Sequence, residues 1–142
     1  MQLIDTHTHI YLPEFDHDRD EVVSRSVKNG VSMLLMPNID TESVFSMLAA
    51  QNRYPGICYP MIGLHPTSVK RYYEPELGKL RNIATNFKFI AIGEIGIDLH
   101  WDTEFISQQT EAFKKQVSFA VESELPVVIH SRNAFAEVFA SL

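Results

Sequence analysis

Phe89-Ile90-Ala91-Ile92-Gly93-Glu94-Ile95-Gly96 places an acidic side chain at the mouth of an apolar run, with glycines close on either side. The apolar residues read as a buried strand. A carboxylate there is costly unless it meets a cation or a metal ion. Working outward from Glu94, three more stretches end short apolar runs with a metal-capable side chain: Asp5-Thr6-His7-Thr8-His9, Gly63-Leu64-His65-Pro66 and Ile129-His130-Ser131-Arg132. In a parallel β/α barrel the carboxyl ends of the strands gather on one face, so residues far apart in sequence can surround one site.

Between these strand ends the hydrophobic period becomes helical. Asp16 or Asp18 can cap a helix running to about Asn29, with Val23 and Val27 on one face and Gly30 ending it. Val31 to Met36 is a largely apolar run closed by Pro37, as expected of a strand covered on both faces. Further helices are predicted from about Thr41 to Asn52, Pro75 to Asn86 and Ser107 to Glu124, the last with Phe113, Val117, Ala120 and Val121 on one stripe. Strands are predicted at residues 2–7, 57–62, 89–92 and 127–129, and another helix starts after Asn133. Alternating strands and helices define an α/β protein with a parallel sheet. A complete eight-unit barrel takes about 250 residues. At 142 residues the chain is expected to be an incomplete TIM-type (β/α)8 barrel with about five parallel strands, residues 1–142 forming the N-terminal part of one domain.

A hydrophobic content of 45%, with 11% aromatic residues, excludes a disordered chain. The formal net charge of −6 excludes a protein that holds long nucleic acid mainly by neutralising phosphates. It does not exclude an enzyme whose metal ions meet the phosphate. Cys58 stands alone and cannot form an internal disulfide, and with no basic segment or long apolar run ahead of the first His pair no leader is expected. A reducing, cytoplasmic setting without membrane association is expected.

Each candidate side chain has a functional and a structural reading. His7 and His9, two apart, would point to one side of a strand and could share an ion, with Asp5 beneath them holding a ring in place. Glu94 is suited to bridge two ions about 3.5–4 Å apart, against the alternative of an ion pair with Lys or Arg. His130 is a ligand or a satisfied structural histidine; His65 binds metal, holds a substrate oxygen or caps its loop. Arg132 can clamp a phosphate or pair with a carboxylate. Asp98, His100, Trp101 and Asp102 form a loop over the same face, where Trp101 could stack on a base.

Taken in order, Asp5-Thr6-His7-Thr8-His9, Gly63-Leu64-His65-Pro66, Gly93-Glu94-Ile95-Gly96-Ile97-Asp98, Gln109 to Gln116 around Phe113, and Pro126-Val127-Val128-Ile129-His130-Ser131-Arg132 resemble the TatD-type metal-dependent deoxyribonucleases. That family is a branch of the amidohydrolase-like β/α barrels. His-x-His alone is shared with many amidohydrolases, whereas the ordered series is specific and spans the chain. The resemblance implies a dinuclear site with two divalent ions (Mg, Mn, Zn or similar). His7 and His9 would hold one ion and His130 the other, with Glu94 bridging both and His65 facing the substrate or assisting the chemistry. It further implies hydrolysis of DNA phosphodiester bonds by metal-activated water, often from an end, with ends or short single strands as substrate.

Two departures stand out. Asn133 follows His-Ser-Arg where the family usually has an acid, and the family's remaining His ligand and late Asp belong to a second half of the barrel. The 142 residues alone are therefore expected to hold metal weakly, to cleave poorly and to self-associate through open strand edges. The competing expectations are another amidohydrolase, acting on amide or amine bonds, and a non-catalytic binding or assembly module.

Overall fold

The computed structural model describes residues 2–101 and 103–142. Five strands, β1 (Leu3–Asp5), β2 (Val31–Met36), β3 (Cys58–Pro60), β4 (Ile92–Asp98) and β5 (Val127–Arg132), alternate with helices α1 (Arg19–Lys28), α2 (Ser43–Arg53), α3 (Glu74–Asn86), α4 (Ile106–Glu122) and α5 (Phe135–Phe139). All pairing is parallel. β1, β2 and β3 form one sheet and β4 and β5 another, and an isolated bridge between Ile62 and Ile92 joins them. Backbone bonds from Ile62 N to Ala91 O and from Gly93 N to Ile62 O cross the seam. Among the described residues, β1 and β5 are each paired on one side only.

Local chemistry explains the helix ends. Asp20 and Glu21 lie in the first turn of α1 and Arg25 and Lys28 in its last, matching the helix dipole. Gly30 then takes φ 90°. In α4 the buried face is Gln109, Ala112, Phe113, Gln116 and Ala120, a helical stripe with a glutamine near each end. Val121, expected on that stripe, is exposed, because it lies one residue beyond Ala120 and so about 100° round the helix.

The strands depart from expectation in burial and extent. The predicted strand at residues 2–7 is Leu3–Asp5, and it is exposed because it has a neighbour on one side only. In β2, Leu34 and Met36 are buried and the rest half-buried, so it is not covered fully on both faces. The predicted strands at residues 89–92 and 127–129 shift or extend toward the carboxyl end, and β4 is buried along its whole length. Glu94 and His130 therefore sit within their strands.

Gly93 and Gly96 permit that extension through close approach. A Cβ on Gly93 would come within 2.7 Å of Val128 Cβ, and one on Gly96, at φ 150°, within 1.9 Å of His130 O. Any larger residue would push β4 off β5.

The core joins Met36, Met47, Leu64, Ile92, Ile95 and Ile97 to Phe113 from α4. Phe113→Ala is expected to cost about 3–5 kcal/mol in urea unfolding, whereas Phe45→Ala, on an exposed side chain, should stay within about 0.5 kcal/mol. Equal effects of the two changes would contradict this placement of the core.

Candidate metal centre

β4 and β5, with the segments that follow β1 and β3, bring His7, His9, His65, Glu94 and His130 together. His7 and His9 lie just beyond β1 rather than on it, because the ladder with β2 stops at Asp5. They still converge, with His7 Nε2 3.2 Å from His9 Nε2 and 3.2 Å from Glu94 Oε2. Asp5 does not sit beneath a ring as expected. Its Oδ1 accepts the backbone N–H of His7 at 3.1 Å and so turns the chain.

Tyr11 takes the place foreseen for Asp5. Its hydroxyl donates to Pro37 O at 2.7 Å and lies 2.9 Å from His9 Nδ1. A phenol has one hydrogen, so it must accept from His9 Nδ1–H. His9 is left with a bare Nε2 facing His7 and the site. Burial first, and then neighbouring His7, holds the His9 pKa below its ordinary value.

Glu94 is 8% exposed. Its Oε1 lies 3.0 Å from His130 Nδ1 and its Oε2 3.8 Å from His65 Nε2. The expected rival, an ion pair with Lys or Arg, is replaced by contacts with imidazoles. Burial pushes the carboxyl pKa up, but the His130 hydrogen bond and the charges of His65, His7 and His130 outweigh it, leaving Glu94 below the usual carboxylate value. It is an anion at neutral pH.

His130 bonds on both sides, its Nε2 lying 2.8 Å from Asp98 Oδ2. The Glu94 hydrogen bond raises its pKa against the opposing effect of burial, with Asp98 adding to the rise. His65 behaves in the opposite way. Its Nδ1 accepts the Thr67 backbone N–H at 3.2 Å and meets Thr67 Oγ1 at 2.7 Å, while its Nε2 is 3.2 Å from His130 Nδ1. Burial, with His130 and His9 adding to it, depresses its pKa to about 4 against Glu94 and Asp98. With Nδ1 accepting, the neutral ring carries its hydrogen on Nε2, directed into the site.

Sequence reasoning assigned no role to the groups that hold this arrangement. Asn38 is fully buried; its N–H donates to Gly93 O at 3.0 Å, its O accepts Glu94 N–H at 3.2 Å, and its Nδ2 donates to Gly63 O at 2.9 Å. It thus ties the end of β2 to the segments carrying His65 and Glu94. Gln116 Oε1 accepts Leu64 N–H at 2.7 Å and its Nε2 donates to Leu64 O at 3.2 Å, next to His65. Gln109 Oε1 accepts Asp98 N–H at 2.8 Å. Two amides seven apart on an apolar helical stripe were a visible signal for the glutamines. A lone Asn after Pro37 carried none.

Trp101 is 68% exposed, and the Arg132 guanidinium lies 5.1 Å from the centre of its ring. Asp102, expected in the same loop, lies outside the described residues. Asn133 has φ 55°, a left-handed conformation that Asn tolerates well. It does not cap α5, whose N-cap is Ala134.

Two groups of metal-capable side chains share Glu94, His7 with His9 and His65 with His130, one atom from each residue lying within 4.8 Å of the others in its group; with its hydrogen on Nε2, His65 stands beside the second group as a donor of a hydrogen bond rather than as a ligand. Imidazoles around a buried anionic carboxylate fit a divalent ion. Such a cluster at the carboxyl ends of parallel strands is the arrangement of β/α-barrel metal-dependent hydrolases. The profile of the family described as TatD related DNase matches residues 4–142, and the chain belongs to that family.

Curated relatives agree. The chain is 32% identical over 140 residues to the uncharacterized metal-dependent hydrolase YabD of Bacillus subtilis, covering 99% of this chain and 54% of that one. It is 34% identical over 140 residues to the 3'-5' ssDNA/RNA exonuclease TatD of Cronobacter sakazakii, covering 99% and 53%. The crystal structure of YjjV, a TatD homolog from Escherichia coli K12, superposes with a TM-score of 0.86 at 29% identity over 96% of this chain and 53% of that one. The chain thus spans about half the length of the relatives it matches. The amide-hydrolase and non-catalytic readings find no support in these likenesses. Among the described residues no helix is long and apolar enough to cross a membrane.

His65 gives the site a pH signature. Its folded pKa, about 4, lies below the 6.5 of a free histidine, so the unfolded chain takes up the proton first as pH falls. The stability it contributes is complete above about 6.5 and is lost as pH drops toward about 4. Between about pH 7 and about pH 5 the metal-free wild type should lose roughly 2 kcal/mol relative to His65→Gln in urea unfolding. A pH-independent difference would show that His65 titrates like an exposed histidine.

Proposed function

We propose that residues 1–142 form the N-terminal part of a single β/α-barrel hydrolase domain that cleaves phosphodiester bonds of single-stranded DNA at a dinuclear divalent-metal site. The observation that carries this reading is Glu94, a buried anion contacted by His7, His65 and His130. The nuclease name of the Cronobacter relative supports the substrate class.

In this reading His7, His9 and Glu94 would hold one ion and Glu94 and His130 the other, with magnesium, manganese or zinc as candidates. Bound ions would supply Lewis-acid stabilisation of phosphate charge and a lowered pKa for water. His65, neutral at physiological pH, donates its Nε2–H to a phosphate oxygen. Exposed Trp101 offers its ring to a base, and Arg132 behind it offers charge to the backbone. A cytoplasmic location accords with the buried Cys58 thiol, whose pKa burial pushes up to about 11, and cell fractionation would test it.

Leu3 and Ile4 on β1 and Ile129 on β5 expose apolar side chains along strands paired on one side, and self-association through these edges is part of the proposal. Sedimentation velocity should resolve species larger than a monomer; a monodisperse monomer would refute this part.

Equilibrium dialysis against Mn2+ and digestion of a 5′-labelled single-stranded oligonucleotide test the site. The wild-type chain should take up manganese weakly and show slow, chelator-sensitive shortening of the oligonucleotide. Glu94→Gln should bind the ion more than about 100-fold less tightly and lose that cleavage, with its circular dichroism unchanged. Manganese uptake equal in wild type and Glu94→Gln would contradict the proposal.

A further inference from the structure

We infer that Asp98 is a positioning residue that keeps the hydrogen of the neutral His130 ring on Nε2, so that Nδ1 is the nitrogen presented to Glu94 and to an ion. The inference deepens the metal reading above and rests on it.

Asp98 ends β4 with no exposed surface, and its carboxylate is held on every side. Oδ1 accepts the backbone N–H groups of His100 at 2.8 Å and Trp101 at 2.9 Å, and the Asp98 N–H is itself bonded to Gln109 Oε1. Oδ2 is directed at His130 Nε2 at 2.8 Å. The β4–β5 register pairs Gly96 with His130 and Asp98 with Arg132, so the carboxylate and the ring come from adjacent, hydrogen-bonded strands.

Glu94 Oε1 meets the other ring nitrogen at 3.0 Å and competes for the hydrogen. Glu94, however, is also approached by His7 and His65, whereas His130 is the imidazole that Asp98 contacts. With the hydrogen on Nε2, His130 would offer its Nδ1 lone pair to an ion shared with Glu94, and Asp98 anchors the opposite edge of the ring. His9 is tied in the same manner but through the other nitrogen: its Nδ1 bonds Tyr11 and its Nε2 faces the site. In each ring an outer hydrogen bond selects the inner donor atom. Metal-bound histidines depend on such partners, whose loss typically costs 10–100-fold in metal affinity.

Asp98→Asn separates this role from simple turn formation. Its Oδ1 would keep the His100 and Trp101 N–H bonds and preserve the loop, but its amide would present N–H to His130 Nε2, donor against donor. The ring must then carry its hydrogen on Nδ1. The same exchange in serine-protease triads keeps the geometry and selects the wrong tautomer.

Titration of the chain with Zn2+ against a chromophoric chelator should show Asp98→Asn binding about 10–100-fold more weakly than wild type, and no better than Asp98→Ala. Its urea midpoint should stay near that of wild type. Wild-type zinc affinity in Asp98→Asn would overturn the inference. Nitrogen-15 spectra of the wild-type His130 ring decide it independently of any variant. Hydrogen on Nε2 in the zinc-loaded chain supports it; hydrogen on Nδ1 with a bare Nε2 overturns it. Wild-type zinc affinity in His130→Ala would instead remove His130 from the ligand set, while the ring spectra of the wild type would still decide which nitrogen Asp98 holds.

Discussion

A carboxylate removed from water must be offset by fixed charge or hydrogen bonds, and Glu94 meets that demand through imidazoles contributed by three other parts of the chain. The consequence is geometric. For Glu94 to remain an anion, the segment after β1, the segment after β3, and β5 must all reach it from their carboxyl ends. Parallel β/α packing is the arrangement that delivers this, since every strand then ends on the same face. The imidazoles are themselves divided by their outer partners. Burial and Thr67 leave His65 a neutral donor, while Glu94 and Asp98 favour protonation of His130.

The scaffold behind the cluster is polar as well as apolar. Asn38, Gln109 and Gln116 are buried amides whose side chains bond backbone beside His65 and at Asp98, and Asn38 adds main-chain bonds to Gly93 and Glu94. A buried amide left without partners would be destabilising, so each bond also specifies where the strand ends must lie. Phe113, between the two glutamines, anchors the same face of α4 in the core. The packing that stabilises the chain thus sets the height of the site residues.

Much of this was legible in the residues. Apolar runs and helical stripes announced the alternation of five strands and five helices, and the residues that end those runs are the ones that converge. Burial of the individual strands was less legible. Local pattern cannot reveal that β1, among the described residues, has a neighbour on one side only, nor that Gly93 and Gly96 permit close strand contact. The hydrogen-bond partners were the least visible part. Tyr11 and Asn38 act across 26 and 25 residues of sequence, and nothing near them marks that role. Asp98, expected in a loop over the face of the site, is instead the buried last residue of β4, and its bond to His130 depends on strand register.

The central claim, that His7, His9, Glu94 and His130 hold divalent ions, is tested most directly by anomalous scattering. Crystals of the chain grown with Mn2+ should give difference density beside Glu94, between its carboxylate and the rings of His7 and His9 or of His130. Manganese bound only at sites remote from Glu94, with these side chains well ordered, would contradict the account.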